Sequence, residues 1–219
     1  MNEFVVHTIP GSPFARAVLV TLEEKHAPYR LAPIAPGAHR APEHLQRHPF
    51  GRIPVLEHGS FRLYETQAIV RYIDRVVPQP PLTPSQPQAA ARMDQLMNIN
   101  DWYLFQGVAN VIVFQRIIRP RLLGQPTDEA AISEAMPRAR LVFDELARQL
   151  NEQPFFAGAA LSLADVVLAP QLDFFRTLPE WTVLTAKHGN LCAWLERMVA
   201  RPSLVATTWE RVAAMAQAA

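Results

Sequence analysis

The sequence predicts a small mixed α/β domain at the amino-terminal end, followed by an all-helical domain. Short apolar runs alternate with stretches of helical spacing through residues 4–77. Beyond residue 87 the apolar residues recur at i, i+3 and i+4 almost throughout, which is typical of helices. Between these regions, residues 77–87 carry five prolines and favour neither a helix nor an inner strand. We therefore predict domains at residues 1–79 and 88–219, joined by a proline-rich linker at 80–87.

The first domain is predicted to follow the order β-α-β and then β-β-α. Apolar residues at helical spacing place a helix between two short buried strands, which indicates a right-handed crossover. Two further strands joined by His58-Gly59-Ser60 are typical of an antiparallel hairpin. The predicted strands are residues 4–7, 29–34, 55–57 and 61–64, and the predicted helices are 13–25 and 66–77.

The second domain begins with one long helix, whose spacing runs through residues 93–111 and which Pro120 is expected to end. Pro137 and Pro170 are expected to kink or break the helices that contain them. Ser162 and Asp165 have the spacing of a capping box and predict a helix start. Further helices are predicted at residues 128–150, 164–177, 190–200 and 203–216.

Composition excludes several classes of protein. With Cys192 as its one cysteine, the chain cannot form an internal disulfide or a zinc site built from several thiols. A formal charge of +1 gives no support to a nucleic-acid partner. The acidic start does not fit a secretory signal, and the most apolar stretch, residues 108–114, is too short to cross a membrane. We expect a soluble cytoplasmic protein with neither a nucleic-acid nor a membrane partner.

Ser12 is the first residue of chemical interest. It lacks the following glycine of a nucleophile elbow, so a serine triad is not expected. Ser12 followed by Pro13 is typical of a helix N-cap. An anion can bind at such a helix start when it follows the carboxyl end of a strand.

A cluster of basic residues precedes Ile53-Pro54. His39, His44 and His48 lack the convergent ligands of a metal site, so we predict no metal and interpret them as solvated surface residues. The positive charge nevertheless favours an anionic small ligand near the sheet. The residues that concentrate it are His39, Arg40, Arg47 and Arg52.

Four motifs in order resemble those of the soluble glutathione transferases, and the resemblance covers nearly the whole chain. The segment at 12–18 resembles the serine-type signature of phi-like and bacterial members. The segment at 37–43 is similar to the basic pair of the phi class, 48–56 to the family's Asn-Pro-x-Gly-x-Val-Pro-x-Leu element, and 64–69 to Glu-Ser-x-Ala-Ile. The resemblance implies a thioredoxin-like first domain and a helical bundle as the second.

The resemblance also implies a role for each matching residue. Ser12 would donate its hydroxyl to the sulfur of glutathione, the co-substrate, and favour the thiolate. Glutathione would be held by His39, Arg40, Arg52, Ile53, Pro54, Glu65 and Thr66. His39 and Arg40 would bind the glycyl carboxylate, and Arg52 would lie nearby as a further donor. Ile53, before a cis Pro54, would present its backbone to the cysteinyl part. Glu65 would pair with the γ-glutamyl ammonium and Thr66 would meet its carboxylate.

Three positions depart from the family pattern. Thr66 replaces the usual serine and keeps the hydroxyl, Arg52 replaces the glutamine common in the phi class, and His48 replaces the usual asparagine. The hydrophobic electrophile site is less specified by sequence. Phe14 and Phe114 are its candidates, with Tyr103 and Phe105 as further aromatic residues on the same predicted long helix as Phe114. Aromatic residues at helical spacing are also compatible with a core or dimer role.

The resemblance favours an enzyme that transfers glutathione to a hydrophobic electrophile. Two alternatives stay open: a glutathione-dependent peroxidase or reductase, and a non-catalytic interaction module with the same fold. Ser12 argues against a mixed-disulfide reductase, since such members carry cysteine at that position. The family also implies a homodimer.

Overall fold

The computed structural model describes residues 3–35 and 37–218, which divide into two compact units. The first unit comprises Met1–Thr83 and Ala200–Ala219, and the second comprises Pro84–Val199. The carboxyl-terminal residues thus group with the amino-terminal unit, whereas the sequence-based division places them in the helical domain. The reason is packing: helical spacing identifies a buried face without showing which unit covers it.

The first unit has the predicted order of strands and helices. Ser12 precedes the first helix, and Pro13 occupies its first turn. Along the described residues the elements are β1 (Phe4–Thr8), α1 (Pro13–Glu24), β2 (Tyr29–Pro33), a 3₁₀ turn (Ala38–Arg40), α2 (Pro42–Leu45), β3 (Val55–His58), β4 (Phe61–Tyr64) and α3 (Thr66–Val76).

The strands pair in the order β2-β1-β3-β4. β1 and β2 are parallel, with Thr8 opposite Pro33. β3 is antiparallel to both of its neighbours, so Val55 lies opposite His7 on β1 and opposite Tyr64 on β4. The ends of β1, β2 and β4 and the beginning of β3 therefore meet at one edge of the sheet.

A buried ion pair connects the two main helices of this unit. The ammonium group of Lys25, at the end of α1, contacts the carboxylate of Asp74 on α3, and both residues are buried. Asp74 also accepts hydrogen bonds from the Leu82 backbone amide at 2.9 Å and the Thr83 hydroxyl at 2.5 Å. The proline-rich segment is therefore attached to the first unit through Asp74.

The second unit is helical, and no helix of the described residues has the length and apolar character needed to cross a membrane. Its elements are α4 (Pro87–Ile99), a π-helical segment (Asn100–Ala109), α5 (Asn110–Val113), a second π-helical segment (Phe114–Ile118), α6 (Arg119–Leu123), α7 (Glu129–Leu150), α8 (Leu163–Phe175), α9 (Pro179–Thr185) and α10 (Gly189–Val199).

The prediction of one long regular helix ended by Pro120 is wrong. Gln106 has ψ 114° and Gly107 has φ 79°, so the helix is broken between them. The Gly107 amide donates to the Asn110 side chain at 2.6 Å, which supplies a partner for a backbone group at the break. Pro120 lies in the first turn of α6, where its missing amide is tolerated, and the helical stretch ends at Gly124 with φ 63°.

Three other helix predictions have different outcomes. The capping box of Ser162 and Asp165 is confirmed at the start of α8. Pro137 and Pro170 lie inside α7 and α8, which continue through them, so the helices are not broken there. The alternative outcome, a kink at each proline, stays a prediction. The single helix predicted at residues 203–216 is two, α11 (Pro202–Ala206) and α12 (Trp209–Ala218), and both belong to the first unit.

Candidate functional site

The sheet topology brings the predicted glutathione-binding residues to one edge. Ser12 follows the end of β1, and the turn with His39 and Arg40 follows the end of β2. Pro54 immediately precedes β3, and Glu65 immediately follows β4. Because these strand ends are neighbours in the sheet, residues from four separate parts of the sequence border one surface.

Ser12 caps the first helix. Its side-chain oxygen accepts a hydrogen bond from the Ala15 amide at 3.2 Å, and its own amide donates to the Ile9 carbonyl at 3.2 Å. A hydroxyl that accepts through its oxygen keeps its hydrogen available for donation. The side chain is only partly buried and lies at the positive end of α1, so it can donate to an anion there.

The turn that carries His39 and Arg40 packs closely on the loop before β3. A Cβ atom at Gly51 would lie 3.2 Å from the His39 carbonyl oxygen, so the two segments touch at this glycine. The ring of His44 is hydrogen-bonded to the Arg52 carbonyl oxygen at 2.7 Å. Arg40 and Arg52 are both exposed. This packing places three of the predicted cationic side chains on adjoining segments.

The histidines of α2 and the following loop differ from the prediction. His44 and His48 are 3% and 2% exposed, so the interpretation of them as solvated surface residues is wrong. Burial lowers the pKa of His48, and electrostatic interaction with the neighbouring His44 and Arg52 lowers it further. His48 is therefore neutral at pH 7, packs on Tyr64 with ring centroids 4.6 Å apart, and lies 4.0 Å from the Glu65 carboxylate. The sequence signal that this position is unusual was that His48 replaces the family's usual asparagine.

Pro54 is buried directly before β3, and the Ile53-Pro54 peptide is cis, which confirms the conformation predicted from the resemblance. Ile53 is partly exposed at the same sheet edge.

Glu65 has a backbone conformation that is rare for its residue type. Its φ is 71° and its ψ is 115°, directly before the first helical residue, Thr66. Residues other than glycine adopt such angles at a cost of roughly 1–3 kcal/mol, and they occur preferentially at functional sites. The Glu65 side chain is 61% exposed, whereas Thr66 is buried. The carboxylate is therefore accessible to a cationic ligand beside the start of α3.

The aromatic candidates for an electrophile site lie in both units. Phe14 is a partly buried residue of the first turn of α1, two residues beyond Ser12. Phe114 is 37% exposed in the second unit, and Tyr103 is 55% exposed on the π-helical segment. Binding of a hydrophobic electrophile by these aromatic residues stays a prediction. Within the part of the chain that the structure describes, no group of three or more potential metal ligands is found.

The most informative residue that the sequence interpretation missed is Gly11. It has φ 88°, and the indole of Trp209 on α12 lies directly against it. A glycine directly before the helix-capping serine was a possible signal, but nothing in the sequence pattern identifies a partner almost 200 residues away.

The fold and this sheet edge define a thioredoxin-like domain attached to a helical domain. Residues 3–75 match the family model for the glutathione S-transferase N-terminal domain, and residues 109–202 match that for the C-terminal domain. The chain belongs to the glutathione S-transferase family, and it is a transferase.

Relatives of known name agree with this assignment. The chain is 33% identical over 186 residues to glutathione S-transferase 1 of Zea mays, covering 84% of this chain and 85% of the relative. It is 30% identical over 187 residues to the probable glutathione S-transferase GSTF2 of Oryza sativa subsp. japonica, covering 84% and 86%.

Solved structures show the same likeness. Glutathione transferase F7 from Populus trichocarpa superposes with a TM-score of 0.84 at 25% identity, covering 97% of this chain and 99% of that one. Glutathione S-transferase-I bound with lactoylglutathione superposes with a TM-score of 0.82 at 29% identity, with coverage of 97% and 99%.

Proposed function

We propose that this protein binds glutathione at the sheet edge, stabilises its thiolate with Ser12 and transfers it to a small hydrophobic electrophile. The observation that carries this proposal is the geometry of Ser12. Its oxygen is held by the Ala15 amide, so its hydrogen can be donated to an anion at the start of α1. A related transferase has been solved with lactoylglutathione bound, which supports a glutathione derivative as ligand.

The charges of the site match the two ends of glutathione. The exposed carboxylate of Glu65 is suited to the γ-glutamyl ammonium, and the hydroxyl of the adjacent Thr66 would contact the neighbouring carboxylate. The side chains of His39, Arg40 and Arg52 are suited as donors to the glycyl carboxylate at the other end. Charge-assisted hydrogen bonds of this kind fix orientation as well as affinity. The backbone of Ile53, beside Pro54, would then contact the cysteinyl part in between.

The reaction requires no nucleophile from the protein itself. The glutathione thiol loses its proton to solvent, and the thiolate sulfur forms a bond to an electrophilic carbon. Either a leaving group departs with its electron pair, or a double bond takes up the electrons and is then protonated. A free thiol has a pKa of about 8.5, and lowering it by about two units corresponds to roughly 2.7 kcal/mol of thiolate stabilisation.

The test compares Ser12→Ala with the wild type. We expect the variant to raise the pKa of the bound thiol, read from thiolate ultraviolet absorbance, by about two units. Its rate of conjugation at pH 7 should fall by roughly 25-fold, because the thiolate fraction falls by that factor when the pKa rises from about 6.5 to about 8.5. Ser60→Ala, in the exposed turn between β3 and β4, is the matched control and should behave as the wild type.

Other outcomes would support the alternatives. Glutathione binding without turnover by the wild type would favour the interaction module. Faster reduction of a peroxide than conjugation of any electrophile would favour the peroxidase. Failure to bind glutathione would exclude all enzymatic versions of the proposal.

We also propose a cytoplasmic homodimer. The family resemblance supports the dimer, and the single cysteine fits a reducing compartment. Light scattering should give about twice the 24.6 kDa mass of the chain. A mass near that of one chain would contradict the dimer.

A further inference from the structure

The carboxyl-terminal segment, residues 200–218, is fastened to the helix that carries Ser12. The Arg201 guanidinium donates two hydrogen bonds of 2.7 Å to the Glu24 carboxylate at the end of α1. The Ser203 hydroxyl donates to the same carboxylate at 2.5 Å. Near the beginning of α1, Arg16 donates to the Leu204 carbonyl oxygen at 3.0 Å. The segment is thus held at both ends of α1.

Trp209 extends this contact to the turn before Ser12. A Cβ atom at Gly11 would lie 2.8 Å from two carbon atoms of the indole and 3.0 Å from a third. Distances this short leave no space for a side chain, so the ring lies directly on the Gly11 backbone. Because Gly11 has φ 88°, it also adopts a conformation that other residues rarely accept.

The position of the indole is not explained by anchoring of α12. Among the described residues of that helix, Val212 is the fully buried one, whereas Trp209 is half-buried. Val212 therefore fixes the helix in the core. The large flat side chain of Trp209 lies instead against the single turn that sets the direction of Ser12.

We propose that Trp209 is a positioning residue for Ser12, an inference that rests on the proposed function. By covering Gly11, the indole holds the turn in which Ser12 has φ −75° and ψ 118° and accepts from the Ala15 amide. In that conformation the Ser12 oxygen accepts from the helix, so its hydrogen is available for donation to the sulfur of bound glutathione. Without the ring, the turn samples other conformations and the hydrogen bond to the thiolate weakens.

The decisive measurement is the pKa of the bound glutathione thiol in Trp209→Ala. We expect a rise of about one unit and a roughly threefold lower kcat at pH 7, with the KM for glutathione nearly unchanged. Trp209→Phe keeps a flat ring, so its thiol pKa and kcat should stay close to those of the wild type. Met215→Ala removes an apolar side chain of the same helix that lies beside Leu22 and Glu23, near the end of α1 opposite Ser12, and should leave the thiol pKa as in the wild type.

Three results would overturn the inference: an unchanged thiol pKa in Trp209→Ala, an equal rise in Met215→Ala, or a loss expressed only in KM. If Trp209→Ala does not fold, Trp209→Leu is measured instead and must raise the thiol pKa. A failure of the proposed function is distinguishable, since Ser12→Ala would then also leave the thiol pKa unchanged, and the role of Trp209 would fall with it.

Discussion

Asp165→Ala tests how the start of α8 is stabilised. The Asp165 carboxylate is fully buried and accepts four hydrogen bonds. One oxygen takes the Phe156 amide and the Trp194 indole N–H, both at 2.9 Å. The other takes the Ser162 amide at 3.0 Å and the Ser162 hydroxyl at 2.7 Å. Alanine would leave four buried donors without their acceptor.

The size of the effect follows from those four bonds. Each buried donor left without a partner costs about 1–3 kcal/mol. Burial raises the pKa of Asp165 although the hydrogen bonds oppose the rise, so removing the carboxylate also relieves a desolvation cost. We therefore expect the low end of the range, a loss of about 4 kcal/mol in the free energy of unfolding.

The assay is urea denaturation followed by far-ultraviolet circular dichroism. Ser162→Ala is the matched control, because it removes one of the four bonds to the carboxylate together with the capping bond that the Ser162 oxygen accepts from the Asp165 amide. It should lose about 2 kcal/mol. A loss of stability in Asp165→Ala that is equal to or smaller than the loss in Ser162→Ala would contradict this role of the Asp165 carboxylate.

Two further predictions concern the first unit. Lys25→Met leaves the buried Asp74 without its counter-ion and should lower the free energy of unfolding by about 3 kcal/mol; an unchanged urea midpoint would contradict this. Burial would raise the pKa of Glu24, but the hydrogen bonds from Arg201 and Ser203 hold it below its usual value. The ionised carboxylate therefore stabilises the fold above the ordinary pKa of 4.5, and this contribution is lost as the pH falls through the lower folded-state pKa. In Glu24→Gln, the free energy of unfolding should depend less steeply on pH below pH 4.5 than in the wild type. An unchanged pH dependence would exclude this contribution of Glu24.

The strands and helices around the sheet were predictable because several local signals agree. Pro13 follows a capping serine, a glycine lies in the turn between β3 and β4, and the apolar runs match the period of each element. The gathering of Ser12, Pro54 and Glu65 at one edge then follows from strand direction alone.

Features that depend on distant contacts were not predictable in this way. The apolar spacing continues across Gly107, so the pattern gives no sign of the break there. His48 is polar, yet it is buried against Tyr64. The position of Trp209 in the sequence is compatible with any amphipathic helix. Its contact with Gly11 could not be predicted, because it requires knowing that the last helices join the first unit. Periodicity identifies a buried face but not its partner.

The grouping of the last twenty residues with the first unit has a consequence for biosynthesis. In chain order, residues 84–199 form an insertion within the first unit. Translation proceeds from the amino terminus, so a nascent chain of the first 83 residues contains Glu24 and Gly11 but neither Arg201 nor Trp209. The first unit is therefore completed only after the whole helical unit has left the ribosome, and a fragment cut at residue 83 lacks both contacts.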